Sequence, residues 1–214
     1  MSLFVVATPI GNLKDVSLRS LEILKSVDLV LAEDTRVTKK LLNKFEIKTR
    51  LLSYHQHSKL NKVEHIINLL VQGKDLALVS DAGTPGISDP GNKLVREAVL
   101  KEIRVIPIPG PSASISALSV SGFPTDKFVF LGFPPQKKKR QSFFKEVLES
   151  KYPVVLYESK HRILKTLKEL QDREIVLARE LTKVFETIYR GKANEIDLKE
   201  IKGEFVIVVN KRMC

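Results

Sequence analysis

Cysteine is almost missing from this chain of 214 residues: the only one, Cys214, is the last. A lone thiol forms no internal disulfide and makes no zinc site by itself, so a reduced environment is expected. Long apolar runs are missing as well, and no uncharged stretch approaches the ~20 residues that a membrane span needs. Residues 2–9 are apolar, but no basic segment precedes them and no small-residue cleavage site follows, which argues against a signal peptide. A soluble, cytoplasmic protein with no membrane partner is the expectation. Acidic side chains are the scarcer charge, 25 against 36 Lys and Arg, leaving a net +11. Such an excess raises encounter rates with polyanions, nucleic acid foremost, although a Lys-rich solvated surface has the same composition.

Familiar catalytic signatures are absent too. No G-x-G-x-x-G occurs, which disfavours a standard dinucleotide site. Gly86 and Gly91 have the P-loop spacing, but Asn92-Lys93 follows where Lys-Ser/Thr is required. Ser112 lies in no G-x-S-x-G elbow. His55 and His57 stand two apart with no acidic or cysteine partner nearby, so they read as a solvated loop and no metal site is expected.

What is present is a globular balance, 43% hydrophobic and 29% charged, arranged as alternating strands and helices. Strand patterns at 3–8, 28–32, 49–53, 75–80 and 104–108 alternate with helical ones around Leu18–Val27, at 37–45, at 60–72 (Val63, Ile66, Ile67 and Leu70 on one face) and at 92–101. That rhythm predicts βαβ units and a mostly parallel sheet. Pro107, Pro109 and Pro111 interrupt it, since three prolines in five residues fit neither a helix interior nor a central strand. Beyond them come helices at 112–121, 141–150 and 163–170 and strands at 128–131, 153–157, 175–179, 184–189 and 204–209, in the closer succession of a mixed sheet. The expected fold class is therefore α/β with two α/β domains, 1–110 and 111–214, mostly parallel in the first and mixed in the second.

Three loops follow predicted strands, where open α/β sheets bind their ligands: 7–13, 80–91 and 109–114. The second is the most demanding, with Gly83, Gly86 and Gly91 among Pro85 and Pro90. Little side-chain bulk there lets a ligand approach the main chain. Asp89 is expected to cap a helix beginning at Pro90.

These loops carry a resemblance. Thr8-Pro9-Ile10-Gly11-Asn12-Leu13, Ala32-Glu33-Asp34-Thr35-Arg36, Ser80 to Pro85, Ser88 to Gly91 and Pro109 to Ala113 resemble, in order, the signatures of the ribosomal small-subunit methyltransferase I family. So do Gly132-Phe133, Tyr157-Glu158-Ser159 with His161-Arg162, Arg179-Glu180-Leu181-Thr182-Lys183 and Gly203-Glu204. That family is part of the tetrapyrrole-methylase superfamily, so the resemblance implies two α/β domains with a cofactor cleft between them and S-adenosyl-L-methionine as cofactor. It implies 2′-O-methylation of a cytidine in small-subunit (16S) rRNA, with the rRNA or the 30S subunit as partner and a homodimer as the assembly. By the same resemblance Thr8, Pro9, Ser80, Asp81, Gly83, Thr84, Pro85, Ser112, Ala113 and Tyr157 line the cofactor site, and Arg162 faces RNA. Two departures stand out: Lys160 replaces the usual proline, and the sequence ends soon after Gly203-Glu204, where relatives carry a further helical segment.

A ribose hydroxyl is a weak nucleophile, so a proton acceptor is sought. Glu33, Asp34 and Glu180 are the candidates, with helix capping the competing role for Glu33-Asp34. Arg36 either holds a phosphate or pairs with Asp34. Lys137, Lys138, Lys139 and Arg140 form the only charge run, four cations before a predicted helix, and are expected to touch RNA backbone. The alternatives are a methylase for a small tetrapyrrole, which has little use for a broad basic face, and a non-catalytic RNA-binding assembly protein.

Overall fold

Neighbouring residues in the strands of the first half belong to different hydrophobic cores. Leu31, Leu76 and Leu78 are buried with Val63, Ile66, Ile67 and Leu70, whereas Val30, Ala77 and Val79 are buried with Leu24, Leu41 and Leu42. Period-two side chains that are apolar on both faces need a layer of helices on each side, which is why these strands read as near-continuous hydrophobic runs. The computed structural model, which describes residues 1–55, 58 and 60–211, shows that arrangement. His57 and Cys214 fall outside the described residues. The chain divides into two compact units, Met1–Ser112 and Ala113–Cys214.

In the first unit, β1 (Ser2–Val6), β2 (Leu29–Ala32), β3 (Leu51–Ser53), β4 (Leu76–Val79) and β5 (Arg104–Ile108) form a sheet in the order β3-β2-β4-β1-β5. Every pair is parallel. Helices α1 (Leu18–Ser26) and α2 (Thr35–Lys44) supply one core, and α3 (Leu60–Val71) and α4 (Asn92–Leu100) the other. Pro107 is tolerated in β5 because that strand is at the sheet edge. Parallel pairing brings the loops after β1, β2, β4 and β5 to one edge of the sheet.

In the second unit, β6 (Val129–Gly132), β7 (Val154–Ser159), β8 (Glu174–Arg179), β9 (Thr187–Lys192) and β10 (Glu204–Val209) form a mixed sheet in the order β6-β7-β10-β8-β9. Only β6 and β7 run parallel. Helices α6 (Arg140–Glu149) and α7 (Ile163–Glu169) cover one face, and α5 (Ala113–Ser119) the other.

Two local expectations are corrected. Helix α4 begins at Asn92, capped by Gly91 at φ 146 without a side-chain bond, so Asp89 caps nothing at Pro90. Strand β9 begins at Thr187, three residues later than the apolar pattern of 184–189 predicts. Residues 180–186 are tied instead into turns by Lys183 N–H to Glu180 O and Glu186 N–H to Lys183 O, leaving Val184 and Phe185 exposed. Among the described residues no helix is long and apolar enough to cross a membrane.

Candidate functional site

The loops after β1, β4 and β5 are knitted together. Thr8 and Gly83 exchange both backbone hydrogen bonds, at 2.9 and 3.0 Å. The Thr8 hydroxyl donates to Ser80 O at 3.2 Å. The Thr84 hydroxyl reaches Pro111 O at 3.5 Å. At Gly110 a Cβ would come within 3.0 Å of the Ala7 Cβ, so glycine is what lets the third loop lie against the first. Gly83 has φ +79, the left-handed region that favours glycine. Gly83 is buried and its N–H is spent on Thr8, so it shapes the loop surface from below rather than offering a ligand a free donor. Pro9 and Pro85 are buried beneath this surface, while Asp81 stands exposed on it. Ser112 closes the first unit.

Beside the loops sits an acidic group, Glu33, Asp34, Asp81 and Asp89. Asp81 accepts the Asp34 N–H at 2.9 Å, and Glu33 accepts the Asp81 N–H, so the ends of β2 and β4 brace each other. The carboxyls are not equivalent. Asp34 caps α2, accepting the Arg36 N–H at 2.8 Å and the Arg36 guanidinium at 2.6–3.1 Å. Those bonds bring its pKa down to about 2, which makes it a helix cap and a poor proton acceptor. Arg36 is thus paired with Asp34 while its side chain stays exposed. Glu33 is shifted upward, by burial first and then by the Asp81 charge. Asp89 rises to about 6 because of burial and the nearby Glu33 charge, against a lowering hydrogen bond from the Ser80 hydroxyl.

Glu180 belongs to a different device. Burial raises its pKa, but its bonds to the Lys183 ammonium and the Glu204 N–H, both 2.9 Å, outweigh that and lower it. It locks the turn after β8, at φ +51, a structural use that competes with its expected role as a base.

The Asp89 environment has a measurable consequence. Its folded pKa lies above the ordinary 3.8, so the folded chain holds this proton more tightly than the unfolded chain does. The stability contribution is greatest where both states are protonated and declines as the pH rises from about 4 to about 6. A rise from 3.8 to about 6 sets a ceiling of about 3 kcal/mol, which partial exposure reduces to roughly 1–2 kcal/mol. Asp89→Asn is therefore expected to raise the thermal midpoint at pH 7 and leave it unchanged near pH 4. An equal gain at both pH values would show that Asp89 is ionised throughout.

In the second unit Ala113 opens α5, and the Tyr157 hydroxyl accepts the Ser114 N–H at 3.2 Å. The Tyr157 ring packs against Phe130 and Phe133, at 5.1 and 5.5 Å between centroids. Lys160 lies in the exposed turn between β7 and α7. The basic run divides. Lys137, Lys138 and Lys139 are exposed, but Arg140 is 3% exposed and bound to Glu169 at 2.6–3.0 Å, to the Thr166 hydroxyl and to Pro135 O. Arg140 is thus turned into the protein rather than toward solvent. Arg162 is part-exposed, paired with Glu158 at 2.9 Å and bonded to Pro134 O at 2.8 Å. Glu158, whose side chain is fully buried, was legible as special from the sequence: a carboxylate ending the apolar run 153–157 has to be paired if it is buried.

Comparison with known proteins gives these features a lineage. Residues 2–197 match the family model described as Tetrapyrrole (Corrin/Porphyrin) Methylases. Ribosomal RNA small subunit methyltransferase I of Halalkalibacterium halodurans is 48% identical, over 97% of this chain and 75% of that protein. The protein of the same name from Thermotoga maritima is 45% identical over 97% of both. Among solved structures, diphthine synthase superposes with a TM-score of 0.76 at 15% identity, covering 98% of this chain and 90% of that one. Uroporphyrin-III-C-methyltransferase from Thermus thermophilus gives 0.69 at 16%, over 98% and 94%. At such identities these two similarities speak for the fold alone, whereas the sequence relatives are close along almost all of the chain. The chain belongs to the tetrapyrrole methylase family and, within it, to the ribosomal RNA small subunit methyltransferase I family.

Proposed function

We propose that this chain transfers a methyl group from S-adenosyl-L-methionine to the ribose 2′-hydroxyl of a cytidine in 16S rRNA. The observation that carries this reading is the 45% identity to the Thermotoga maritima ribosomal RNA small subunit methyltransferase I along 97% of both chains.

The residues at the sheet edge fit the cofactor's charge. Glu33 and Asp89 are held above the usual carboxylate range in part by neighbouring negative charge. A sulfonium and an ammonium are the kind of cations that relieve such crowding. Asp81, exposed at the centre of the group, would hold a cationic part of the cofactor, with Thr8, Pro9, Ser80, Gly83, Thr84 and Pro85 shaping the loop surface around it. Ser112, Ala113 and Tyr157 enter through the family resemblance. When bound, the cofactor supplies an electrophilic methyl group. The chain supplies positioning, the main source of catalysis in a displacement of this kind. Of the three candidate bases, Glu33 is the one whose carboxyl neither caps a helix nor bonds a lysine or arginine; it accepts the Asp81 N–H with His55 close by, and it is the group proposed to take the ribose proton.

Lys137, Lys138 and Lys139 are proposed to bind RNA phosphates irrespective of sequence. A homodimer and a cytoplasmic location belong to the same proposal; a light-scattering mass equal to one chain would count against the dimer.

The deciding experiment incubates the protein with 30S subunits and labelled cofactor and maps ribose methylation. Label on a single cytidine 2′-oxygen is the expected result. Label on a porphyrinoid acid and none on rRNA would overturn the reading, and binding to rRNA without cofactor affinity would point to an assembly protein instead.

A further inference from the structure

Three adjacent lysines at the N-terminus of α6 hold an unfavourable position. They repel one another and oppose the helix dipole. Lys139 caps the helix in the left-handed region, φ 63, with no side-chain cap bond, a backbone state that persists when its surroundings impose it. Among the described residues none of the three has an ion-pair partner. Pro134 and Pro135 lack the N–H groups that would tie the segment down from its own side.

What holds this loop is the buried cluster beneath it. Arg140 donates through Nη1 to Pro135 O at 2.9 Å, and Arg162 donates through Nη1 to Pro134 O at 2.8 Å. Two consecutive carbonyls are therefore gripped by two guanidinium groups. Each guanidinium is fixed from behind. Arg140 forks onto Glu169, lies 4.9 Å from the Phe144 ring centre and bonds the Thr166 hydroxyl. Arg162 pairs with Glu158 at 2.9 Å. Glu158 also accepts the Thr166 hydroxyl at 2.6 Å and stands 3.8 Å from Arg140, which joins the two halves. Two arginines and two glutamates balance, so the cluster spends its hydrogen bonds on geometry and adds no net charge to the lysine loop above.

We infer that Arg140 and Arg162 are positioning residues, a clamp that presents Lys137, Lys138 and Lys139 to RNA phosphates in a fixed arrangement. The inference rests on the reading of those lysines as an RNA contact. Arginine is required because a planar fork serves a carbonyl and a carboxylate at once, whereas a lysine ammonium in its place is a point charge without that fork.

The test is Arg140→Lys with Arg162→Lys, which leaves the net charge of the protein unchanged, alongside Lys137→Ala/Lys138→Ala/Lys139→Ala. For the triple alanine variant the slope of log K against log salt for rRNA fragments should flatten by about 2–3 units, at ~0.7–0.9 per phosphate. The double lysine variant should flatten it by about 1–2 units, with KM for RNA rising roughly fivefold for each phosphate no longer bound. Its kcat at saturating RNA and its affinity for S-adenosylmethionine should stay at wild-type values, and trypsin should cleave after Lys137–Lys139 faster than in the wild type. Arg162→Lys alone, at the better exposed end of the cluster, keeps the test open if the double variant does not fold, and should give part of the same change. A folded double or single variant with wild-type slope and KM, beside a flattened triple variant, would overturn the clamp and leave the RNA contact standing. An unaltered slope in the triple variant would remove the RNA contact, and the clamp with it.

Discussion

Gly83→Val should lower affinity for S-adenosylmethionine, and the rate of methyl transfer, by about 10²-fold while the first unit stays folded; a displacement of about 1 Å at a positioning loop has consequences of that size. The substitution acts in two ways. At φ +79 a β-branched residue is strained by about 1–2 kcal/mol or more. Its Cβ would meet the Ile10 Cγ2 at 3.5 Å and Pro111 O at 3.8 Å. Those are ordinary contacts, but the valine γ-carbons reach further and must push the loops after β1 and β5 away. The two hydrogen bonds between Thr8 and Gly83 would carry that displacement into Thr8. The sheet should survive, because both hydrophobic cores of this unit lie along the strands and helices, and a domain typically has about 5–15 kcal/mol to lose. Gly83→Ala is the graded control: its single added carbon keeps the backbone strain and omits the γ-carbon clash, so about a tenfold loss is expected. Calorimetry with the cofactor, alongside circular dichroism, reads both. Normal affinity in a folded Gly83→Val protein would move the cofactor site away from this loop.

Glu158→Leu should be the most destabilising single change in the second unit, at about 3–5 kcal/mol. The carboxylate is fully buried and serves Arg162, Arg140, the Thr166 hydroxyl and the Ser159 N–H at once. Leucine leaves two guanidinium groups facing the single charge of Glu169 and strips the acceptor from the buried Thr166 hydroxyl and the part-buried Ser159 N–H. Burying a charge cluster is not stabilising in itself, and a well-packed apolar replacement of the whole set would hold the fold as well. The cost comes from breaking the set. Glu158→Gln keeps one oxygen acceptor, enough for the Thr166 hydroxyl or the Ser159 N–H but not both, and should therefore lose less. Urea titration of the intact protein measures the difference, the transition of the second unit being the one that moves. A loss below about 1 kcal/mol for Glu158→Leu would mean that water or a side-chain shift neutralises the arginines.

The elements that sequence reading located best are those whose signal is local. Strands β5 and β10 stand at the residues their apolar runs predict, 104–108 and 204–209. Helix α3 carries Val63, Ile66, Ile67 and Leu70 inward as their spacing requires. A parallel sheet followed by a mixed one follows from strand–helix alternation giving way to closely spaced strands. Strand order was not legible, because the placing of β4 between β2 and β1 depends on pairings between residues more than 40 positions apart. Near 184–189 the local pattern misled: apolar Val184 and Phe185 look like strand, but the turn bonds around Glu180 and Lys183 claim the backbone first.

For the candidate site, the loops were marked by their glycines and prolines, since backbone permissiveness is written into residue type. Charge was not. Lys139 and Arg140 are adjacent cations in one run, yet one is exposed and the other is buried against a carboxylate 29 residues away. Glu33 and Asp34 are adjacent acids, yet one is shifted up and the other down to about 2. Composition and periodicity by themselves determined most of the strands and helices and marked the glycine-dependent turns of this protein. Only the tertiary structure decided which charges reach solvent and which hold the chain together, because the energy of a charge is set by the distant partners that folding brings within a few ångströms of it.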